Sequence, residues 1–132
     1  MKKNWSFESY VLGANGFDVV AYQTLDAAVP GMSEYYSFLE GVNYLFSSSA
    51  NKDLFDANPQ KYLPAYGGYC AMAMAMNKKH PSDSGAFGVV DGKLYLTKKT
   101  ALKLWLEDVS GHIKKADAFW LKDEDIDPNL LA

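Results

Sequence analysis

Alternating apolar and polar residues identify a first candidate hairpin in the N-terminal half of the chain. Tyr36 and Phe38 alternate with polar neighbours in residues 35–39, and residues 42–47 continue the alternation after Glu40-Gly41. A period of two is typical of strands that bury one face, and a short loop with Gly is typical of a tight hairpin. We therefore predict a β-hairpin whose alternating residues bury one face.

A second hairpin is indicated by Asp91-Gly92, which separates residues 87–90 from residues 93–97. Asp-Gly between two β-rich runs is a strong signal for a two-residue turn. Residues 17–22 follow the turn signal Asn15-Gly16 and have the composition of a further short strand. The pattern thus predicts two hairpins and one separate strand.

The segment after the first hairpin has the features of a short helix. Serines at 47–49 are N-cap candidates for a helix over residues 50–57, and Asn58-Pro59 ends it because a proline disfavours helical geometry in the preceding residue. Leu54 and Phe55 are expected to face inward from this helix.

Two further helical segments are predicted in the second half of the chain. Residues 69–76, built from Ala and Met after Gly67-Gly68, favour a helix, although their alternating Met residues suit a strand equally well. Apolar residues at helical spacing then predict an amphipathic helix that stops at Ser110-Gly111, with another short helix beyond it. The residues of that spacing are Leu102, Trp105, Leu106 and Val109. The acidic residues 122–132 are expected to be frayed.

The charge balance argues against a nucleic-acid partner. The chain carries 13 basic and 16 acidic residues, a net charge of −3, and every basic residue is a lysine. A phosphate-binding surface needs clustered Lys and Arg. The sequence also contains neither a membrane-spanning apolar run nor the apolar core of a signal peptide in residues 1–10. We therefore expect one soluble domain, cytoplasmic as the chain stands.

Several segments, taken in order, resemble the YHS-domain family. They are Gly16-Phe17-Asp18-Val19-Val20-Ala21-Tyr22, Asn58-Pro59-Gln60-Lys61-Tyr62, Tyr66-Gly67-Gly68-Tyr69-Cys70-Ala71, Val90-Asp91-Gly92-Lys93-Leu94-Tyr95-Leu96, and Trp105, Gly111, Ile113, Ala116-Asp117 and Trp120. The resemblance implies an α+β fold, a small antiparallel sheet built from hairpins with short helices packed on it. It implies a YHS-like domain over residues 13–121, between an N-terminal extension (1–12) and an acidic C-terminal tail (122–132).

The branch of the family that the chain resembles has a single Gly-Tyr-Cys-Ala cysteine, and its members are often exported. Other branches are thought to bind metals through cysteines near the opening motif and after the first hairpin. Here those places read Asp18-Val19-Val20-Ala21 and residues 47–51, without a thiol. The resemblance therefore directs attention to Cys70.

Cys70 is the side chain with the most distinctive candidate chemistry. It is the one cysteine, so the chain forms no internal disulfide. A thiolate here would suit copper(I) or zinc, with His80 as a second ligand. The alternatives are a nucleophile with His80 or His112 as its base, and a buried, inert thiol.

These residues lead to a small non-enzymatic binding module as the principal hypothesis. Cys70 and His80 are the candidate ligands of a transition metal, copper or zinc, and Tyr69, Tyr66 and Asp18 are the candidate contacts of a small ligand. A thiol-dependent enzyme using Cys70, and a structural or interaction domain without a ligand, remain the alternatives. Classical enzyme motifs are missing from the sequence. Homo-oligomerisation and membership of a larger assembly stay open.

Overall fold

The computed structural model describes residues 11–132, which form an α+β fold of short helices and hairpins, as predicted. The N-terminal extension predicted over residues 1–12 lies outside this part of the chain, except for its last two residues. The described residues divide into two compact units. Unit 1 comprises residues 11–63 and 89–94, and unit 2 comprises residues 64–88 and 95–132.

Unit 1 contains the first sheet and the helices that follow it. Its elements are β1 (Val11–Leu12), a 3-10 turn (Gly13–Gly16), α1 (Ala21–Thr24), β2 (Met32–Leu39), β3 (Val42–Phe46), α2 (Ser49–Ala57) and α3 (Pro59–Tyr62). Strand β3 is central in the sheet, with β1 parallel to it on one side and β2 antiparallel on the other.

The first hairpin is confirmed, and its turn explains its register. Glu40 and Gly41 both have positive φ, 50° and 83°, as a two-residue turn of the I′ type requires. This turn pairs Leu39 with Val42 and Ser37 with Tyr44. The pairing shifts between Met32 and Tyr36, where the strand is irregular.

The burial expected for this hairpin is confirmed for β3 and wrong for β2. Tyr44 and Phe46 of β3 are buried and pack against Phe55 of α2, at ring-centroid distances of 5.2 and 5.1 Å. Tyr36 and Phe38 of β2 instead expose 54% and 60% of their surface. The register is the cause, because Ser37 pairs with Tyr44 and Phe38 pairs with Asn43, so Tyr36 and Phe38 lie on the face of the sheet opposite Tyr44 and Phe46.

Helix α2 begins as predicted, because the Ser48 hydroxyl accepts the backbone N–H of Asn51 at 3.1 Å. Its inward face is confirmed for Phe55, which is 1% exposed, and wrong for Leu54, which is 45% exposed. Pro59 ends α2 and also occupies the first position of α3, where its missing N–H costs nothing.

The strand predicted over residues 17–22 is wrong. Phe17 forms only an isolated bridge with Pro30, and α1 begins at Ala21. The Asp18 carboxylate accepts the backbone N–H groups of Val20 and Ala21 at 2.9 and 3.2 Å, which turns the chain into a helix. The side chain therefore overrides the β propensity of the two valines.

Unit 2 contains most of the second hairpin and the C-terminal helices. Its elements are a 3-10 turn (Ala65–Gly68), α4 (Ala71–Ala75), β4 (Asp83–Val90) and β5 (Lys93–Thr97), α5 (Leu102–Glu107), α6 (Val109–Asp123) and a 3-10 turn (Pro128–Leu130), with the tip of the β4–β5 hairpin assigned to unit 1. The helix over residues 69–76 and the Asp91-Gly92 hairpin are confirmed, although α4 is shorter than predicted.

The predicted helix end at Ser110-Gly111 is wrong. The break falls at Asp108, whose carboxylate accepts the Gly111 N–H at 3.1 Å and so caps the start of α6. Residues 122–132 are also not frayed. Lys122 belongs to α6, and the carbonyl of Leu131 accepts the backbone N–H of Lys79 at 2.9 Å.

Over residues 11–132, every helix is too short or too polar to cross a membrane.

Candidate functional site

The turn that precedes α4 holds a bulky residue in a rare backbone conformation. Tyr66, Gly67 and Gly68 have φ values of 58°, 61° and 84°, all in the left-handed region. The two glycines adopt this region without steric cost. Tyrosine pays a steric cost there, and such strain persists only where surrounding contacts fix it, often at binding sites. The Ser82 hydroxyl, which donates to the Gly68 carbonyl at 2.7 Å, is one such contact.

This backbone directs the Tyr66 side chain inward, to a carboxylate on α6. Tyr66 is 4% exposed, and its hydroxyl donates to Asp117 Oδ1 at 2.7 Å. Asp117 itself is exposed to solvent. Burial raises the pKa of Tyr66, and the adjacent Asp117 carboxylate raises it further because it would repel a phenolate. Tyr66 is therefore a neutral hydrogen-bond donor at physiological pH.

Trp120 joins Tyr66 and Tyr69 into one aromatic group. Its ring centroid lies 6.1 Å from that of Tyr66 and 6.4 Å from that of Tyr69. A Cβ added at Gly67 would lie 3.4 Å from Trp120 Cη2. The backbone of this glycine therefore runs close to the edge of the indole ring and carries no side chain that would cover it. Both Trp120 and Tyr69 keep part of their surface exposed. We call Tyr66, Tyr69, Asp117 and Trp120 the Tyr66 site.

A buried lysine contacts the two partly exposed rings of the site from within unit 2. Lys79 is 2% exposed, and its ammonium lies 5.0 Å from the Tyr69 centroid and 5.2 Å from that of Trp120. It donates to the carbonyls of Asp123, Glu124 and Ile126 at 3.0, 2.8 and 2.8 Å, and so satisfies acceptors at the end of α6.

The charge of Lys79 is set by two opposing influences. Burial lowers the pKa of Lys79, whereas the nearby carboxylate of Asp123, with others of the acidic tail, opposes that shift. The carbonyl acceptors also favour the charged form, since an ammonium offers three donors. Lys79 therefore acts as a structural cation that fixes Tyr69 and Trp120.

Cys70 and His80 are neighbours through the backbone. The Cys70 N–H donates to the His80 carbonyl at 2.9 Å, and the cysteine side chain is 1% exposed. Within residues 11–132, no group of three or more His, Cys, Asp or Glu side chains is arranged to hold a metal ion. A zinc site normally takes four ligands, so this pair alone is incomplete. The metal-binding role of Cys70 and His80 remains a prediction.

Asp18 belongs to unit 1, whereas the other four predicted site residues belong to unit 2. Its side chain is fully buried, and its oxygens accept hydrogen bonds from five donors. These are the backbone N–H groups of Val20, Ala21 and Ser47, the Ser47 hydroxyl and the Asn51 amide. A carboxylate with this set of partners stabilises the fold of unit 1, and its proposed ligand contact stays a prediction.

His112, the candidate base of the enzyme hypothesis, is also held by the structure. Its ring stacks on Trp105 at a centroid distance of 5.7 Å, and its Nδ1 lies 3.1 Å from the Trp105 carbonyl oxygen. A histidine engaged in this way orders the α5–α6 junction.

Sequence reasoning selected Tyr66 and Tyr69 as ligand contacts but gave no such role to Asp117, Trp120 or Lys79. Asp117 and Trp120 are three apart on α6 and so share a helix face, which is a pattern that the sequence does carry. Lys79 carried no such signal, because a lysine beside Lys78 in a polar loop is normally exposed.

Comparison with family models, curated proteins and solved structures gives no match for this chain. The resemblance to the YHS-domain family therefore stays a prediction from sequence segments.

Proposed function

We propose that the chain is a small non-enzymatic binding module whose ligand contacts the Tyr66 site. The observation that carries the proposal is the 2.7 Å hydrogen bond between buried Tyr66, in a left-handed conformation, and exposed Asp117. Strained residues cluster at ligand sites, and small-ligand sites combine aromatic walls with a few fixed polar groups.

The chemistry of the site favours an organic cation with a flat apolar body. Tyr69 and Trp120 offer partly exposed aromatic surface, and Asp117 offers an accessible carboxylate beside it. A ring stacks or packs edge-on against the indole, while an ammonium group pairs with the carboxylate. Phenethylammonium combines both features in one small probe.

The test is fluorine NMR of protein labelled with fluorotryptophan, with the Trp120 resonance assigned by Trp120→Phe. Phenethylammonium is expected to shift this resonance saturably, whereas phenylacetate, which has the same ring and the opposite charge, leaves it unmoved. Asp117→Asn should weaken binding about threefold to fivefold, because an exposed ion pair contributes up to about 1 kcal/mol.

The matched control is Asp125→Asn, which removes another exposed carboxylate of the same unit outside the Tyr66 site. It should bind phenethylammonium as the wild type does. Equal responses to phenethylammonium and phenylacetate, or no saturable shift of the Trp120 resonance, would contradict the proposal.

A variant of Cys70 distinguishes this proposal from a metal-binding function. Its side chain is buried, so Cys70→Ala should leave the response to phenethylammonium unchanged. The same samples are titrated with zinc and with copper(I). Stoichiometric metal uptake that Cys70→Ala abolishes, together with no response to phenethylammonium, would replace the proposed function by metal binding.

A further inference from the structure

A continuous series of aromatic rings runs through unit 2, and the Tyr66 site is only one end of it. Successive ring centroids are 6.4, 6.1, 5.9, 5.7 and 5.7 Å apart along Tyr69, Trp120, Tyr66, Tyr95, Trp105 and His112. Tyrosine and tryptophan are among the side chains most easily oxidised by one electron, and electrons cross such short gaps rapidly. We call this series the aromatic chain.

Exposure along the aromatic chain varies in an ordered way. Tyr66, Tyr95 and Trp105 expose 4%, 8% and 1% of their surface, whereas Tyr69, Trp120 and His112 at the two ends are partly exposed. An oxidant at the surface therefore reaches the partly exposed Trp120 or Tyr69 before it reaches buried Tyr66.

Tyr66 has a carboxylate partner for its proton. A phenol loses its proton on one-electron oxidation, because the phenol radical cation is an extremely strong acid. The 2.7 Å hydrogen bond to Asp117 Oδ1 places a carboxylate where that proton is released. Such charge-assisted hydrogen bonds are short and strong.

From this arrangement we propose that Tyr66 is a proton-coupled redox site, served by the aromatic chain and by Asp117. A one-electron oxidant, such as a peroxide-derived radical, takes an electron from Trp120. Tyr66 then returns one electron to the Trp120 radical cation, and its phenolic proton moves to Asp117. The products are the reduced oxidant, a neutral Tyr66 radical and a protonated Asp117, so electrons and protons balance.

Unit 2 also contains buried sulfur atoms that oxidants can modify. Cys70, Met72 and Met74 are 1%, 5% and 0% exposed, and α4, which carries both methionines, packs against α6, which carries Trp120 and Asp117. Thiols and thioethers are converted by oxidants to sulfenic acid and sulfoxide, which disrupt a core. Transfer of the oxidising equivalent to Tyr66, where proton release to Asp117 leaves a neutral radical, competes with oxidation of these sulfur atoms.

The test is photo-oxidation of the full chain with a ruthenium(II) tris(bipyridine) sensitiser and a cobalt(III) quencher, followed by freezing and electron paramagnetic resonance. A neutral tyrosyl signal is expected in the wild type and lost in Tyr66→Phe. Its formation should be slower in heavy water, because the proton moves with the electron. Tyr36→Phe, which alters an exposed tyrosine outside the aromatic chain, should keep the full signal.

Asp117→Asn is the decisive variant, because residue 117 is exposed and the amide oxygen still accepts a hydrogen bond from Tyr66. An amide does not take the proton at neutral pH, so the tyrosyl yield should fall at least about tenfold, as expected for a barrier raised by about 1.4 kcal/mol or more. An unchanged yield in Asp117→Asn, or a tyrosyl signal that survives Tyr66→Phe, overturns the proposal. Neither result depends on whether phenethylammonium binds.

Discussion

Ser47 donates both its backbone N–H and its hydroxyl to Asp18 Oδ2, at 2.9 and 2.7 Å. This pair of hydrogen bonds ties the end of β3 to the turn that begins α1, across 29 residues of sequence. The other oxygen of Asp18 accepts the N–H groups at the start of α1. One buried carboxylate therefore links two segments whose pairing the sequence pattern does not indicate.

Asp18→Asn should lower the free energy of unfolding by about 2–4 kcal/mol, because hydrogen bonds to a charged group are each worth about 1.5–3 kcal/mol and an amide nitrogen would face other donors. The measurement is urea denaturation followed by far-ultraviolet circular dichroism. Asp53→Asn makes the same charge change at an exposed position of α2 and should stay within about 0.5 kcal/mol of the wild type. Equal midpoints for the two variants would contradict this role.

Lys79→Met should destabilise the chain by about 1–3 kcal/mol, since the carbonyls of Asp123, Glu124 and Ile126 lose their donor. The methionine keeps most of the apolar stem, so the effect reports on the ammonium group. Lys78→Met is the matched control, because Lys78 is the exposed neighbour in the same loop. We expect a lower urea midpoint for Lys79→Met alone, and a midpoint shared by both variants would exclude the assigned role.

The elements that the sequence predicts correctly are those decided by local chemistry. The Asp91-Gly92 turn and the Ser48 cap involve residues next to the elements they define. Helix α1 was missed because Asp18, in accepting N–H groups from Val20 and Ala21, overrides the β propensity of Val19 and Val20. The break between α5 and α6 could have been predicted from the sequence, since Asp108 lies three residues before Gly111, the spacing of an N-cap residue and the N–H that it accepts.

The site was predictable only in part, for a physical reason. Tyr66 and Tyr69 stand beside Gly67-Gly68, and that local signal directed attention to them. Asp117 lies 51 residues from Tyr66, and the pairing of a phenol with a distant carboxylate leaves no mark on either segment. Burial of Lys79 likewise depends on where α6 ends in space, which no property of residues 77–80 encodes.

Gly31→Ala should destabilise unit 1 by about 1–3 kcal/mol, as expected for forcing atoms into a packed region. A Cβ at this position would lie 2.5 Å from the backbone carbonyl carbon of Leu45, which cannot move away as a flexible side chain does. Gly85→Ala is the control, because a Cβ there meets no atom of the described chain within 4 Å. Thermal and urea denaturation of both variants check the difference, and a Gly31→Ala variant as stable as Gly85→Ala would contradict the close approach.

Tyr44 should make the folded chain sensitive to alkaline pH. Burial, with a smaller contribution from the charge of Glu40, raises the pKa of Tyr44 from 10.0 to about 12. Between these values the unfolded state releases the phenolic proton while the folded state retains it. The stabilisation is therefore complete below pH 10 and is lost as the pH rises through about 12, by up to about 2.7 kcal/mol for two pKa units.

Tyr44→Phe removes this titration, so its free energy of unfolding should fall less steeply than that of the wild type between pH 10 and 12. Glu40→Gln retains the phenol and removes only the charge, and should reduce the slope by a smaller amount. The pH dependence of the free energy of unfolding that remains in Tyr44→Phe includes a contribution from Tyr66, whose pKa is also raised by burial. Urea denaturation at pH steps across this range measures all three chains, and parallel curves for the wild type and Tyr44→Phe would show that the buried hydroxyl does not control alkaline unfolding.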